Sequence, residues 1–255
     1  MPLLQVSGLS KSFGGVTAVA DLSFAVASEQ IKAIIGPNGA GKTTVFNLLS
    51  GIFSADTGTV EFAGRDIGSL APHRRARLGV GRTFQNTLLF DEMTVLENVM
   101  VATEAGLRLG VLTYMFRLPA VARLDKERRD IATDALKLVG LDTKAAELAG
   151  NLPAGERRLL EIARALGTRP QIVLLDEPAA GLNNAETDRL KHVIRAIRDH
   201  GVTVLLVEHD MGLVMDICDE IVVLDQGVKI AEGPPLLIQE DDRVIEAYLG
   251  RANDA

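Results

Sequence analysis

The nine residues Gly36-Pro37-Asn38-Gly39-Ala40-Gly41-Lys42-Thr43-Thr44 restrict what this chain can fold into more than any other stretch. Before them runs Ile31-Lys32-Ala33-Ile34-Ile35, mostly apolar and of strand length; after them, over residues 44–49, apolar residues recur at helical spacing. Gly36 and Gly41 bracket four residues ahead of Lys42 and Thr43, the spacing of a phosphate-binding loop. A strand–loop–helix unit aims backbone N–H groups and the positive end of a helix at one point, which suits an anion. Lys42 is then placed to reach the β- and γ-phosphates of a nucleoside triphosphate, and the Thr43 hydroxyl to ligate Mg²⁺.

Such a loop needs a carboxylate from elsewhere in the chain. The run Ile172-Val173-Leu174-Leu175-Asp176-Glu177 supplies two at the end of an apolar strand, the edge at which open α/β sheets bind ligands. Asp176 is expected to hold Mg²⁺, and Glu177 to take a proton from the attacking water. His209 ends the next strand-like run, 203–207, and is a candidate for the γ-phosphate side of the same crevice, although a lone histidine is more often structural. Gln85 follows another strand-like run, 80–84; its amide is suited to touch Mg²⁺ or the attacking water. Phe13 precedes Gly14-Gly15 and offers either an adenine-stacking face or core packing.

A second anion-receptive helix start is expected at Asn151-Leu152-Pro153-Ala154-Gly155-Glu156, ahead of a helix over 157–167. One triphosphate rarely needs two such ends, so Leu152, Gly155 and Glu156 are assigned to a neighbouring chain's nucleotide.

The overall pattern is α/β. From 155 to 232, helices (157–167, 185–199, 211–217) alternate with strands (171–175, 202–207, 220–224), several of them continuously apolar, which indicates a mostly parallel sheet covered on both faces. Short β-like segments at 4–6 and 22–27 precede it. Residues 94–140 read as helical, with a Thr94…Glu97 capping box and an amphipathic helix over 121–139 stopped by Gly140. The apolar stretch 106–116 reads equally as a packed loop or as a partner surface. Residues 244–249 form a short amphipathic helix ahead of a polar tail.

Bulk properties narrow the function classes. The chain has 255 residues, 47% hydrophobic and 24% charged, ordinary values for one sizeable globular domain. Its longest apolar runs fall far short of a membrane span, and the N-terminus does not read as a secretory signal. The single cysteine, Cys218, excludes an internal disulfide and reads as a packed side chain in a reducing compartment. A net charge of −7 gives no global positive field, so nucleic acid is not an expected partner. The local basic cluster His73-Arg74-Arg75-Ala76-Arg77 is either a docking patch or a solvated surface.

Taken in order, Gly36 to Thr44, Gln85, the 151–158 segment, Asp176-Glu177, Ala180-Gly181-Leu182-Asn183 and His209 resemble the Walker A, Q-loop, signature, Walker B, D-loop and H-loop of ABC transporter ATPases. More narrowly, Arg82-Thr83-Phe84-Gln85, the run from Met93 to Asn98, Leu159 to Leu166, Asp176 to Asn183 and the ending Glu246-Ala247-Tyr248-Leu249-Gly250 are similar to the ATPases of branched-chain amino acid importers. The resemblance implies a P-loop NTPase of ABC type, with a mostly parallel core sheet, an N-terminal antiparallel β region and a helical insertion. It implies one domain over 1–255: residues 1–88 and 157–232 as RecA-like core with β subdomain, 89–156 as helical subdomain, and 233–255 as C-terminal helix and tail.

It further implies ATP and Mg²⁺ as cofactors, with Gly36, Pro37, Asn38, Gly39, Ala40, Gly41, Lys42, Thr43 and Thr44 around the phosphates. Thr43, Gln85 and Asp176 would face the metal. The implied partners are a second ABC ATPase subunit (a different chain or an identical one), transmembrane permease subunits, and indirectly an external amino-acid-binding protein. The implied place is the cytoplasmic face of the cell membrane, peripherally bound. A lipopolysaccharide-type exporter ATPase and a soluble non-transport ABC ATPase are the rival readings. One departure stands out: the family's Leu-Ser-Gly-Gly-Gln becomes Leu152-Pro153-Ala154-Gly155-Glu156, which removes a hydroxyl and a backbone donor. That departure points to an asymmetric pair.

Overall fold

A computed structural model describes residues 1–83, 89–103 and 119–249. Within them the chain forms two sheets. Strands β1 (Leu4–Phe13), β2 (Val16–Val26), β4 (Thr57–Phe62) and β5 (Arg65–Asp66) make an antiparallel sheet in the order β2-β1-β4-β5. Strands β3 (Ile31–Ile35), β6 (Val80–Arg82), β7 (Ile172–Asp176), β8 (Thr203–Val207), β9 (Glu220–Asp225) and β10 (Val228–Gly233) make the larger sheet, in the order β10-β9-β3-β8-β7-β6. Five of these run parallel; β10 returns antiparallel to β9 after a tight turn at Gln226-Gly227.

The unbroken apolar character of the central strands follows from burial on both faces. Side chains alternate across a strand. Accordingly Ala33, Ile35, Val173, Leu175, Val204 and Leu206 enter one core, and Ile34, Ile172, Leu174, Leu205 and Val207 enter the other. The first core is closed by helices α4 (Pro119–Val139), α5 (Ala154–Leu166), α6 (Asn184–Asp199) and α7 (Met211–Ile217); α3 (Val95–Thr103) adds Val95 and Val99. The second is closed by the antiparallel sheet and by α1 (Lys42–Ser50) through Val45, Phe46, Leu48 and Leu49. Each such aliphatic side chain taken out of water contributes about 1.5–3 kcal/mol.

Lys32 breaks the apolar pattern of β3 yet is 1% exposed; its ammonium donates to the Ala25 carbonyl at 2.7 Å and pairs with Glu220 and Glu232. A buried cation is tolerated because every donor it uses finds oxygen.

The expected capping box is present: the Thr94 N–H donates to Glu97 Oε2 at 2.8 Å and the Glu97 N–H to Thr94 Oγ1 at 3.2 Å. A second one, Asn183 with Glu186, opens α6. Gly140, at φ 68°, ends α4.

Several expectations change. The first two strands are far longer than 4–6 and 22–27, because they pair as one hairpin and irregular register shifts interrupt their periodicity. β6 ends at Arg82 rather than at residue 84. Helix α5 starts at Ala154, not 157: Pro153 adopts extended angles and its carbonyl accepts from the Arg157 N–H at 2.9 Å, so the first turn includes Gly155 and Glu156. The expected boundary between 156 and 157 therefore falls inside that turn. The basic cluster is not all surface. Arg75, 2% exposed, donates to the carbonyls of Leu48, Leu49, Gly68 and Leu70, tying α2 (Pro72–Arg77) to the end of α1. Gln85 and the 106–116 stretch lie outside the described residues. No helix among the described residues is long and apolar enough to cross a membrane.

Candidate active site

The order of the parallel strands brings the candidate residues to one edge. Ile34 of β3 stands in register with Val207 of β8, which stands in register with Asp176 of β7. The loop after β3, the acids ending β7 and His209 after β8 thus emerge side by side at the carboxyl ends of adjacent strands, the usual ligand edge of such a sheet.

Gly41 caps α1 with φ 98°, and a Cβ there would lie 2.3 Å from the Ala18 carbonyl oxygen of β2. Only glycine allows that approach. The loop is stapled from outside as well. The Ala40 carbonyl accepts from the Gly227 N–H at 3.1 Å, and the Gly227 carbonyl accepts from Ala20 at 2.9 Å. Within the loop, Ala40 is buried, Gly36 lies at the end of β3, and Asn38, Gly39 and Thr43 are exposed; Pro37 and Thr44 are half-buried. No side chain caps α1 and no acid lies in its first turn, so nothing local opposes an anion there.

Lys42 folds back over the loop, 7% exposed, and donates to the carbonyls of Gly36 at 2.7 Å and Pro37 at 2.9 Å. Burial pushes its ammonium pKa down, and the charge of Glu177 pulls it partly back. That coupling places Glu177 within electrostatic reach of the loop.

Asp176 is 2% exposed and bonded through Oδ2 to Arg82 Nη2 at 2.9 Å. Glu177, half-buried, has φ 46°, a left-handed conformation that costs a non-glycine residue about 1–3 kcal/mol. Its N–H donates to the Val207 carbonyl at 2.9 Å, and its own carbonyl accepts from the Ala180 N–H at 3.1 Å and from Arg158 Nη2 at 3.3 Å.

His209 is exposed, with its side chain 60% accessible and Nδ1 3.8 Å from Glu208 Oε2. Glu208 is the buried organiser that the sequence reading missed. At 0% exposure it accepts from the N–H groups of Ala179 at 2.7 Å, His209 at 3.0 Å and Asp210 at 3.3 Å, tying the segment after β7 to the one after β8. Its signal was present: an acid directly after the four apolar residues Val204-Leu205-Leu206-Val207.

Phe13 sits at the tip of the β1–β2 hairpin, exposed, edge-on to Phe53 with ring centroids 5.2 Å apart and Lys11 over its face. Leu152 and Gly155 are buried at the start of α5, where Glu156 pairs with Lys144 at 2.6 Å. Tyr248, on α8 (Asp242–Leu249), is partly exposed; the burial it does have raises its phenol pKa, and the Gly36 backbone partly offsets the shift.

The donors suited to a cation are all oxygen: the exposed Thr43 hydroxyl and one buried carboxylate, Asp176. Among the described residues no group of three or more His, Cys, Asp or Glu is placed to hold a metal ion on its own. Such a sparse oxygen set fits Mg²⁺, which keeps waters and takes phosphate oxygens as its remaining ligands.

Comparison with known proteins agrees with this geometry. Residues 19–180 match the ABC transporter family, and residues 228–254 match the C-terminal model of the branched-chain amino acid ATP-binding cassette transporters. The chain is similar to the high-affinity branched-chain amino acid transport ATP-binding protein BraF of Pseudomonas aeruginosa, at 49% identity over 98% of this chain and 99% of that protein. It is similar to the protein of the same description, LivG, of Escherichia coli K12, at 45% identity over the same shares. Among solved structures, the ADP conformation of MJ1267, an ATP-binding cassette of an ABC transporter, superposes with a TM-score of 0.86 at 32% identity, covering 98% of this chain and 99% of that one. With a phosphate loop, a strand-end acid pair and a histidine on one sheet edge, the chain belongs to the ABC transporter family, as one of its ATP-hydrolysing subunits.

Proposed function

We propose that this subunit powers uptake of branched-chain or related amino acids. In this reading it works at the cytoplasmic face of the cell membrane, bound to permease subunits that receive cargo from an external amino-acid-binding protein. One observation carries the chemistry: the phosphate loop, Asp176-Glu177 and His209 occupy adjacent strand ends, in register across β3, β8 and β7. The match over residues 228–254 supports the cargo class.

In the mechanism we propose, the loop from Gly36 to Thr44 wraps the phosphates of ATP, and Lys42 exchanges the carbonyls of Gly36 and Pro37 for phosphate oxygens. The Thr43 hydroxyl, Asp176 and Gln85 would hold Mg²⁺, which when bound neutralises charge on the β- and γ-phosphates. Glu177 takes the proton of the attacking water, and His209 contacts the γ-phosphate side. Phe13 offers its exposed face to adenine.

The proposed partner is a second, related ABC ATPase subunit. Each chain would supply the phosphate loop for one ATP and the α5 start, with Leu152, Gly155 and Glu156, for the other. We keep one cassette over 1–255, with 1–88 and 157–232 as core, 89–156 as helical subdomain and 233–255 as tail. An equilibrium swung from 1:99 to 99:1 by ATP needs about 5.5 kcal/mol of differential binding, within reach of a few charge-assisted bonds of about 1.5–3 kcal/mol each. A cleft of about 390 Å³ between α1, α2, β6 and α5, lined by Ile52, Pro72, His73, Arg82 and Arg164, is the surface we assign to the permease.

A strain lacking this chain, assayed for uptake of labelled leucine, isoleucine and valine, tests the cargo. Loss of uptake restored by the wild-type gene is expected. Normal uptake of all three overturns the cargo while leaving the ATPase chemistry in place.

A further inference from the structure

Arg82 has no part in the proposed chemistry, yet its side chain is held on several sides near the site. Its side chain is 8% exposed and that of Asp176 is 3%. Nη2 donates to Asp176 Oδ2 at 2.9 Å. Nη1 faces three acceptors on α1: the Phe46 carbonyl at 3.1 Å, Asn47 Oδ1 at 2.9 Å and Ser50 Oγ at 2.6 Å. The guanidinium carbon also lies 5.8 Å from the centre of the Phe46 ring. These α1 acceptors sit in the last turns of the helix that begins at the phosphate loop, where the helix dipole favours a cation. Backbone pairing backs the side chain: Thr83 N–H donates to the Leu174 carbonyl at 2.9 Å, and the Asp176 N–H to Thr83 Oγ1 at 3.3 Å.

We propose that Arg82 is a positioning residue for Mg²⁺ capture: it clamps one oxygen of Asp176 against the phosphate-loop helix and so presents the carboxylate to the metal in a fixed orientation. The planar, forked guanidinium suits the task because one group bridges a carboxylate and a helix end at once. Arg82 also lines the cleft between α1, α2, β6 and α5. The inference rests on the reading of Asp176 as a metal carboxylate.

The test uses the full chain loaded with a non-hydrolysable ATP analogue and titrated with Mg²⁺ in a calorimeter, alongside analogue binding in EDTA and thermal melting. Arg82→Gln is expected to bind the analogue in EDTA as the wild type does, with Mg²⁺ affinity weakened about tenfold or more, the size seen when groups orienting a metal ligand are removed. Asp176→Asn is expected to show at least that loss, and Arg82→Gln with Asp176→Asn no further loss, since the two residues act as one unit. Wild-type Mg²⁺ affinity in Arg82→Gln, or fully additive losses in the double variant, overturns the proposal. Unchanged Mg²⁺ affinity in Asp176→Asn instead overturns the assignment of Asp176. If Arg82→Gln does not fold, Arg82→Lys decides: it keeps the charge and loses the fork, so weaker Mg²⁺ binding at an unchanged melting temperature supports the clamp, and unchanged binding removes it.

Discussion

Among the helix starts that lack a side-chain cap, those of α1 and α5 differ in what already sits beside them. α1 opens at Gly41 with no acid in its first turn, and the cation Lys42 is its first residue. α5 opens at Pro153 with Glu156 in its first turn, and a Cβ on Gly155 would lie 2.4 Å from Glu186 Oε1. Both ends have the dipole that attracts anions. The first is left to a ligand, whereas the second already has two carboxylates of its own chain around it. A helix start with acids of its own chain beside it can still receive an anion where those acids are already paired, as Glu156 is with Lys144 at 2.6 Å.

That contrast can be broken at several places. The largest effect is expected for Glu177→Gln, which should lose about 10²–10⁴-fold in turnover, the usual contribution of a general base. ATP binding at the α1 start should persist, as read by steady-state ATPase assay beside calorimetry. Wild-type turnover removes Glu177 from that role. Lys42→Ala should weaken ATP binding about a hundredfold, as expected for losing a charge-assisted bond of about 3 kcal/mol. An unchanged dissociation constant would show that the α1 start is no more receptive than that of α5.

Glycine replacements sharpen the comparison further. Gly41→Ala drives a Cβ into the Ala18 carbonyl oxygen at positive φ, a backbone clash that should cost about 1–3 kcal/mol and lower the melting temperature by about 2–10 °C. At Gly155 the obstacle is the Glu186 side chain, so Gly155→Ala displaces the Asn183–Glu186 capping box and should cost about 1 kcal/mol, a fall of about 2–4 °C. Equal falls in scanning calorimetry would mean that the two starts are equally rigid. The smallest effect belongs to Pro153→Ser, which restores a hydroxyl worth about 1 kcal/mol and should raise turnover of the assembled transporter about fivefold. No change would show that the backbone donors of α5 suffice.

Local chemistry was legible in the sequence where neighbours in the chain do the work. The phosphate loop, the Thr94–Glu97 box and the Gly140 stop each depend on residues within a few positions, and each stands where the spacing put it. The continuous apolar runs gave the parallel sheet because their partners are any apolar face. Arg82 escaped, although a cation beside Val80 and Gly81 in a buried strand calls for a buried partner. Its acceptors lie 32–36 and 94 residues away in the chain, and no local pattern encodes them. Glu208 escaped for the same reason, because the N–H it receives from Ala179 is 29 residues distant. Pro153 hides the helix boundary: it removes the family's hydroxyl, and its extended backbone also lets α5 begin three positions before residue 157.

The staple from Gly227 to Ala40 and Ala20 has a consequence for how the molecule comes into being. A growing polypeptide that has emerged only through its first hundred residues carries every atom of the Gly-rich turn but not the hairpin that braces it from behind. Nascent chains would then hold a slack, unbraced turn, and competence to spend ATP would arrive late in synthesis, once the β9–β10 hairpin has been made.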